Sequence, residues 1–122
     1  MTIANFFETK LVASLKNESA AVAEVFVKLH TGDPGEEGTS NAAAETTRKK
    51  VTWAAAASGV IKNSAALKWE AVSTTETIKY VSLWDAAAAG NPLWSGALTA
   101  EKALTAGDNL EIKAEELSVS LD

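Results

Sequence analysis

Apolar residues near the start of the chain recur every three or four positions, which is the spacing of one face of an α-helix. Thr2 has the side chain of a helix N-cap, and Asn17 tolerates the left-handed conformation in which many helices end. The sequence therefore predicts one amphipathic helix over residues 1–17. Its apolar stripe consists of Ile3, Phe6, Phe7, Leu11 and Leu15.

This predicted helix has two destinations. A helix of about fourteen residues is marginal when isolated in water, so its apolar stripe must pack against something. It can cover one end of its own domain, or it can contact a neighbouring subunit or the surface of a larger particle. We expect Leu11 and Leu15 to pack on the domain, and Phe6 and Phe7 to share in the contact with a partner.

From residue 22 onwards the period of the apolar positions changes to two, which is typical of β-strands. Residues 22–29 are rich in β-branched side chains and predict a strand buried on both faces. Residues 78–84 are apolar in both alternating sets and predict a central strand. Further strands are predicted over residues 46–53, 59–62, 67–72, 93–98, 110–113 and 117–121.

About eight strands without intervening helices favour a mainly β fold, an antiparallel two-sheet β-sandwich of jelly-roll or immunoglobulin-like type. A chain of 122 residues is short for more than one core. We therefore expect a single domain over residues 1–122, in which the helix is followed by a sandwich over residues 22–122. Residues 36–44 form a polar loop without a large apolar side chain, which we expect to be mobile.

The composition excludes several classes of site. The chain has no cysteine, so it has no disulfide, thiolate metal site or cysteine nucleophile. A net charge of −5 disfavours nucleic acid and anionic membranes as partners. No apolar run is long enough to span a bilayer, and the N-terminal residues lack the basic start of a secretory signal.

The single histidine, His30, is the obvious candidate for acid–base chemistry. Neither Ser40 nor Ser58 has a nucleophile motif around it. We expect a ring nitrogen of His30 to bond a loop carbonyl instead. An acidic group in the following loop could supply oxygens to calcium, but three acids fall short of the six to eight that this ion takes, so we expect a solvated loop. The acids are Asp33, Glu36 and Glu37. We predict no catalytic, cofactor or metal site, and no enzyme activity.

Aromatic residues are the better candidates for binding. Trp53, Trp69 and Trp84 are in phase with the other apolar residues of their strands, so we expect them in the core. Trp94, beside a turn at residues 90–92, is the candidate for contact with a glycan or a protein partner. The only basic cluster, residues 48–50, is expected to protect an edge strand from unwanted pairing.

One set of short motifs is more specific than any of these features. Residues 27–35 read Val-Lys-Leu-His-Thr-Gly-Asp-Pro-Gly, and with Glu45 they resemble the "LHTgDPG" opening of a family of small tailed-phage virion proteins. A helix precedes this strand in the family too, and later segments agree with the family in order. These segments are residues 48–56, 83–86, 90–99, 106–110 and 117–122.

The resemblance implies a non-enzymatic structural protein of a tailed-phage virion, which needs no cofactor. Such proteins are described as tail-fibre-like or capsid-decorating, and they attach in multiple copies to the capsid shell or the tail. The implied partners are major capsid or tail proteins and further copies of the same chain. The implied location is the virion, assembled in the host cytoplasm, a reducing compartment that suits a chain without cysteine.

An alternative role remains open from the sequence. The chain could be a receptor- or glycan-binding module on the particle surface, with Trp94 and the turn over residues 85–92 as its platform. Phe6, Phe7 and Trp94 are accordingly the predicted partner-binding residues.

Overall fold

The residues with a two-residue apolar period form antiparallel β-structure, and the residues of the N-terminal apolar stripe lie mainly in one short helix. The computed structural model describes residues 2–120. Helix α1 spans Asn5–Ala13 and continues as a 3₁₀ turn over Ser14–Lys16. The strands within these residues are β1 (Thr2–Ile3), β2 (Phe26–His30), β3 (Lys49–Lys50), β4 (Val60–Lys62), β5 (Leu67–Trp69), β6 (Glu76–Trp84), β7 (Pro92–Leu104), β8 (Leu110–Ile112) and β9 (Ser118–Ser120).

Five strands form one antiparallel sheet in the order β1-β7-β6-β2-β3. Strand β6 lies at its centre and pairs with β2 on one side and with β7 on the other. The central position of this strand is confirmed, and its apolar residues explain it, because Ile78, Val81 and Leu83 are all buried.

The remaining strands form two two-stranded ribbons, β4 with β9 and β5 with β8. Their inward residues, among them Trp69, Ile112 and Val119, belong to the same hydrophobic core as the buried residues of the main sheet. The mainly β class, with antiparallel sheets and one short helix, is therefore confirmed. One large sheet with two ribbons is a looser arrangement than the predicted jelly-roll or immunoglobulin-like pair of sheets. Leu121, the last residue of the predicted C-terminal strand, lies outside the described residues.

The ends of the helix differ in how well the sequence predicts them. Thr2 pairs with Ser95 in the main sheet, so its predicted role as N-cap is wrong. Ala4 occupies that position without a side-chain hydrogen bond to the helix. Asn17 ends the 3₁₀ turn in the left-handed conformation with φ of 66°, as predicted. No helix within residues 2–120 is long and apolar enough to cross a bilayer.

The apolar stripe of the helix packs on the domain only in part. Phe7 is buried and Leu11 is half-buried, but Leu15 is 89% exposed. The expectation that Leu15 packs on its own domain is therefore wrong. The reason is the change to a 3₁₀ turn after Ala13, because its three residues per turn rotate Leu15 out of the line of a 3.6-residue stripe.

Several predicted strands have different bounds in the structure, and three of them differ most in register or length. The strand predicted over residues 22–29 begins only at Phe26, and Phe26 and Lys28 are half-buried, so this part of the strand is buried on one face only. The strand predicted over residues 46–53 retains only Lys49–Lys50. Strand β7 extends beyond residue 98 because it pairs with the full length of β6, and a bulge between Ala97 and Lys102 interrupts its alternation.

The polar loop after β2 is mostly exposed, but parts of it and of the turn before it pack on the main sheet. Pro34 is fully buried, and Gly38 and Ala43 are buried too. Backbone hydrogen bonds close the loop on itself, such as that from the Ser40 N–H to the Pro34 carbonyl at 3.0 Å. A small residue is what allows the close approach of Gly38 to Trp84. The mobility of the rest of the loop stays a prediction.

Candidate partner-binding site

Trp94 and Phe7, two of the three predicted partner-binding residues, lie in contact beside the first strand of the main sheet. Trp94 pairs with Ile3, and the Ala4 N–H donates to the Leu93 carbonyl at 2.9 Å, so the start of α1 is held next to the Trp94 ring. The Phe7 and Trp94 ring centroids are 5.1 Å apart with an interplanar angle of 66°. This edge-to-face arrangement is favourable for two aromatic rings.

An apolar groove of about 270 Å³ opens beside this aromatic pair. We call it the Trp94 groove. Helix α1, the segment before β2 and the ribbon β4–β9 all contribute walls, so residues distant in sequence meet there. Every lining side chain is apolar, which favours the burial of an apolar group. The groove is lined by Phe7, Ala20, Val22, Val25, Trp53, Ile61, Leu83, Leu93, Trp94 and Val119.

The third predicted residue, Phe6, is not part of the groove lining. Its side chain is half-buried, and the Lys10 ammonium lies 5.7 Å from its ring centroid. The structure therefore brings Phe7 and Trp94 together and leaves Phe6 as a separate, half-buried aromatic side chain on α1.

The four tryptophans differ in burial and in hydrogen bonding. Trp69 and Trp84 are buried as predicted, whereas Trp53 is half-buried and lines the groove. The indole N–H of Trp69 donates to the Thr47 carbonyl at 2.7 Å. The buried Nε1 of Trp94 has no hydrogen-bond partner within residues 2–120. A buried donor without an acceptor is costly, which distinguishes Trp94 from the structural tryptophans.

His30 is fully buried and joins the loop after β2 to the main sheet. Its Nδ1 lies 2.9 Å from the Ser40 carbonyl oxygen, so this nitrogen donates and Nε2 accepts from the Ser82 hydroxyl at 2.7 Å. The Trp84 indole N–H in turn donates to the Ser82 oxygen at 2.7 Å. Burial lowers the pKa of His30 below its usual value, although the bond to the Ser40 carbonyl opposes this effect. The predicted bond to a loop carbonyl is confirmed.

The hydrogen bond between Ser82 and His30 resembles that between a serine nucleophile and its histidine base. The sequence pattern did not predict this pair. Both side chains are 0% exposed, so a substrate atom cannot approach the hydroxyl. The hydroxyl is also held by Trp84, which fixes it as a structural link. Ser40 contributes only its backbone carbonyl to His30, and Ser58 lies in an exposed turn with φ of 52°.

The acidic residues after His30 do not converge. Asp33 accepts a hydrogen bond from the Gly35 N–H at 2.9 Å, which shapes the turn, and Glu36 and Glu37 are exposed. Within the part of the chain that the structure describes, no three histidine or acidic side chains lie close enough to hold a metal ion.

Glu76 holds the far end of the same loop, and the sequence contained no signal for this role. Its carboxylate accepts from the Ala44 and Glu45 N–H groups at 2.9 and 3.0 Å and from the Thr74 hydroxyl at 2.8 Å. Burial alone would raise the pKa of Glu76, but these three donors stabilise the charged form and lower the pKa overall.

The basic cluster lies where the sequence predicts it, at the edge of the main sheet. Strand β3 is an outer strand, and its two lysines discourage pairing with another chain. Arg48 has a further role, because its guanidinium carbon lies 4.3 Å from the Trp84 ring centroid. The Arg48 guanidinium donates to the Ala86 and Ala89 carbonyls at 2.9 and 2.7 Å, and so it links the turn after β6 to the main sheet.

These features define a small antiparallel β-protein whose apolar groove is suited to holding another molecule and whose polar network is structural. A family model described as "Podophage GP4 fiber I protein gp80" matches residues 2–120, and the chain belongs to this family. No curated protein matches the sequence. Membership of a podophage fibre family indicates a structural role in the phage virion, in association with other virion components, and favours a non-enzymatic protein.

Proposed function

We propose that this protein is a structural component of a podophage virion that attaches in several copies to the tail or the capsid shell, as a fibre-like or decorating protein. The observation that carries this proposal is the family match over residues 2–120. The motif resemblance around residues 27–35 supports the same small accessory type. The proposed partners are major capsid or tail proteins and further copies of this chain, brought together in the host cytoplasm.

The architecture supports an attachment role. The two ribbons share one core with the main sheet, so we propose a single domain in which they form the second layer of a sandwich. The Trp94 groove and the half-buried Phe6 leave apolar area beside α1 that a virion partner can cover. The net charge of −5 makes a protein a more suitable partner than nucleic acid or an anionic membrane.

Cryo-electron microscopy of the source particle tests this proposal. We expect density that fits the main sheet and α1 at symmetry-related positions on the tail or the shell. Particles assembled without this chain serve as the control and should lack that density. A complete particle without the density at any symmetric position would exclude the proposed role.

A receptor- or glycan-binding role is the second candidate, favoured by the partial exposure of Trp94. Aromatic rings bind sugars through their apolar faces, and the neighbouring turn over residues 85–92 could supply polar contacts. Binding to a glycan array that is lost in Trp94→Ala, with the melting temperature unchanged, would support this role. Equal binding by the wild type and the variant would exclude Trp94 as the platform.

A further inference from the structure

Strand β9 pairs with β4 on one side and with no strand on the other side within residues 2–120. Its pairing shows which backbone groups face outwards. Ser120 lies opposite Val60, whose N–H and C=O both bond to Ala57 at 2.9 Å instead. The backbone N–H and C=O groups of Ser120 therefore point away from β4, and those of Ser118 face the same way, because bonding direction alternates along an antiparallel strand.

No hydrogen bond joins these outward groups to another residue in the described part of the chain. We call the backbone of Ser118 and Ser120 the open edge of β9. An exposed strand edge is a template for pairing with another chain, and proteins commonly protect such an edge with lysine or proline. Strand β3 has this protection, since both of its residues are lysines. Strand β9 reads Ser-Val-Ser with both serines exposed, so it lacks such side chains.

The Trp94 groove lies against the inward face of the same strand. Val119 is buried and lines the groove, and a second apolar hollow of about 240 Å³ continues from it as far as Ser120. Trp94 and Ile61 line both hollows. Residues directly opposite each other on paired strands point to the same face of a sheet. A residue placed opposite Val119 on an added strand would therefore point towards the groove.

We propose that an extended segment of a virion partner adds to the open edge of β9 as a further strand and places an apolar side chain in the Trp94 groove. Outward N–H and C=O groups at strand spacing favour an extended polypeptide as the occupant, because its backbone has matching acceptors and donors. The lining of the groove is apolar, so the inward residue of that segment is aliphatic or aromatic.

The indole of Trp94 adds a second requirement that the same occupant meets. Its buried Nε1 has no acceptor within residues 2–120, and a backbone carbonyl of the added segment is an acceptor of the right kind. This inference rests on the proposed virion role and deepens it, because it states how a virion partner holds this chain.

Ser120→Pro tests the pairing. Proline removes the outward N–H and leaves the bonds between β9 and β4 in place, which edge strands tolerate. Ser120→Thr is the matched control, because it keeps the N–H and suits a strand. The probe is the phage particle assembled without this chain, to which each purified protein is added. Ser120→Pro should bind about tenfold more weakly than the wild type, as expected for one lost hydrogen bond, and Ser120→Thr should bind like the wild type. Equal binding by all three proteins would overturn the proposal.

Hydrogen exchange read residue by residue supplies a measurement that needs no variant. The amides of Ser118 and Ser120 should exchange about tenfold more slowly in the particle-bound protein than in the isolated protein, because the added strand accepts from them. The amide of Val119 faces β4 and should be protected in both states. The virion role itself is tested separately by the particle reconstruction. Unchanged exchange at both serines, in a chain that the reconstruction places on the particle, would overturn the strand addition alone.

Discussion

His30 connects a packed loop to the central strand in its neutral form, and this makes stability depend on pH. Its pKa is lowered on folding, so below about 6.5 the unfolded chain binds a proton that the folded chain does not. The contribution of His30 to the free energy of unfolding should be constant above about pH 6.5. The free energy of unfolding should decrease as the pH falls from there towards the lowered pKa of the folded state.

Urea unfolding at several pH values measures this dependence. His30→Gln is the matched control, because the chain has one histidine and the variant removes its titration. The wild type should lose more stability than His30→Gln between pH 7 and pH 5. If the free energy of unfolding of both proteins changed with pH in parallel, the burial of His30 would not account for the difference in bound protons between the folded and unfolded chain.

The indole N–H groups of Trp94 and Trp69 allow a comparison of an unpartnered donor with a partnered one. Trp69→Phe removes a hydrogen bond to the Thr47 carbonyl, whereas Trp94→Phe removes a buried donor that has no acceptor within the described residues. We expect Trp69→Phe to cost at least about 1 kcal/mol more unfolding free energy. Chemical unfolding of the two variants measures the difference, and a larger loss for Trp94→Phe would contradict it.

Alanine substitutions at Gly38 and Gly107 distinguish the effect of close packing on stability from the effect of backbone conformation. Both have positive φ, 70° and 95°, so an alanine is strained at either position. At Gly38 a Cβ would also lie 3.1 Å from the Trp84 ring, whereas nothing lies within 4 Å of that position at Gly107. Gly38→Ala should therefore lower the melting temperature more than Gly107→Ala. Equal effects would show that the loop does not press on the Trp84 ring.

Helix α1 belongs partly to the fold and partly to the surface, and its two ends should respond differently to truncation of a side chain. Phe7→Ala removes a buried aromatic ring from the core and should cost about 3 kcal/mol or more. Leu15→Ala changes a side chain that is 89% exposed and should fall within about 0.5 kcal/mol of the wild type. Equilibrium unfolding in urea measures both, and a large effect of Leu15→Ala would contradict the exposure of the 3₁₀ turn.

The whole molecule should unfold in one step because the main sheet and both ribbons share one core. Trp69 lies in the ribbon β5–β8 and Trp84 in the main sheet, so tryptophan fluorescence follows both parts. Its transition in urea should coincide with that of the far-ultraviolet circular dichroism signal. Two separated transitions would indicate that a ribbon unfolds independently.

The sequence by itself determined the features that depend on neighbouring residues. The two-residue period predicted the mainly β class and the central strand over residues 78–84, because alternation in a strand is local. The basic cluster predicted an edge strand, and the left-handed preference of asparagine predicted the turn at Asn17. Short turn motifs around residues 27–35 were enough to indicate a phage virion family.

Long-range packing determined which of the predicted residues lie in strands, in the core or in the Trp94 groove. The local sequence predicted Thr2 as a helix cap, but Thr2 pairs with Ser95 in a strand. It also predicted Leu15 as a buried residue, but the 3₁₀ turn rotates Leu15 outwards. The Trp94 groove unites Phe7, Trp53 and Val119 from three distant segments, and no local pattern encodes such a meeting. Contacts of this kind form because a single core buries as much apolar surface as the connections allow, so they become visible only once the chain has folded.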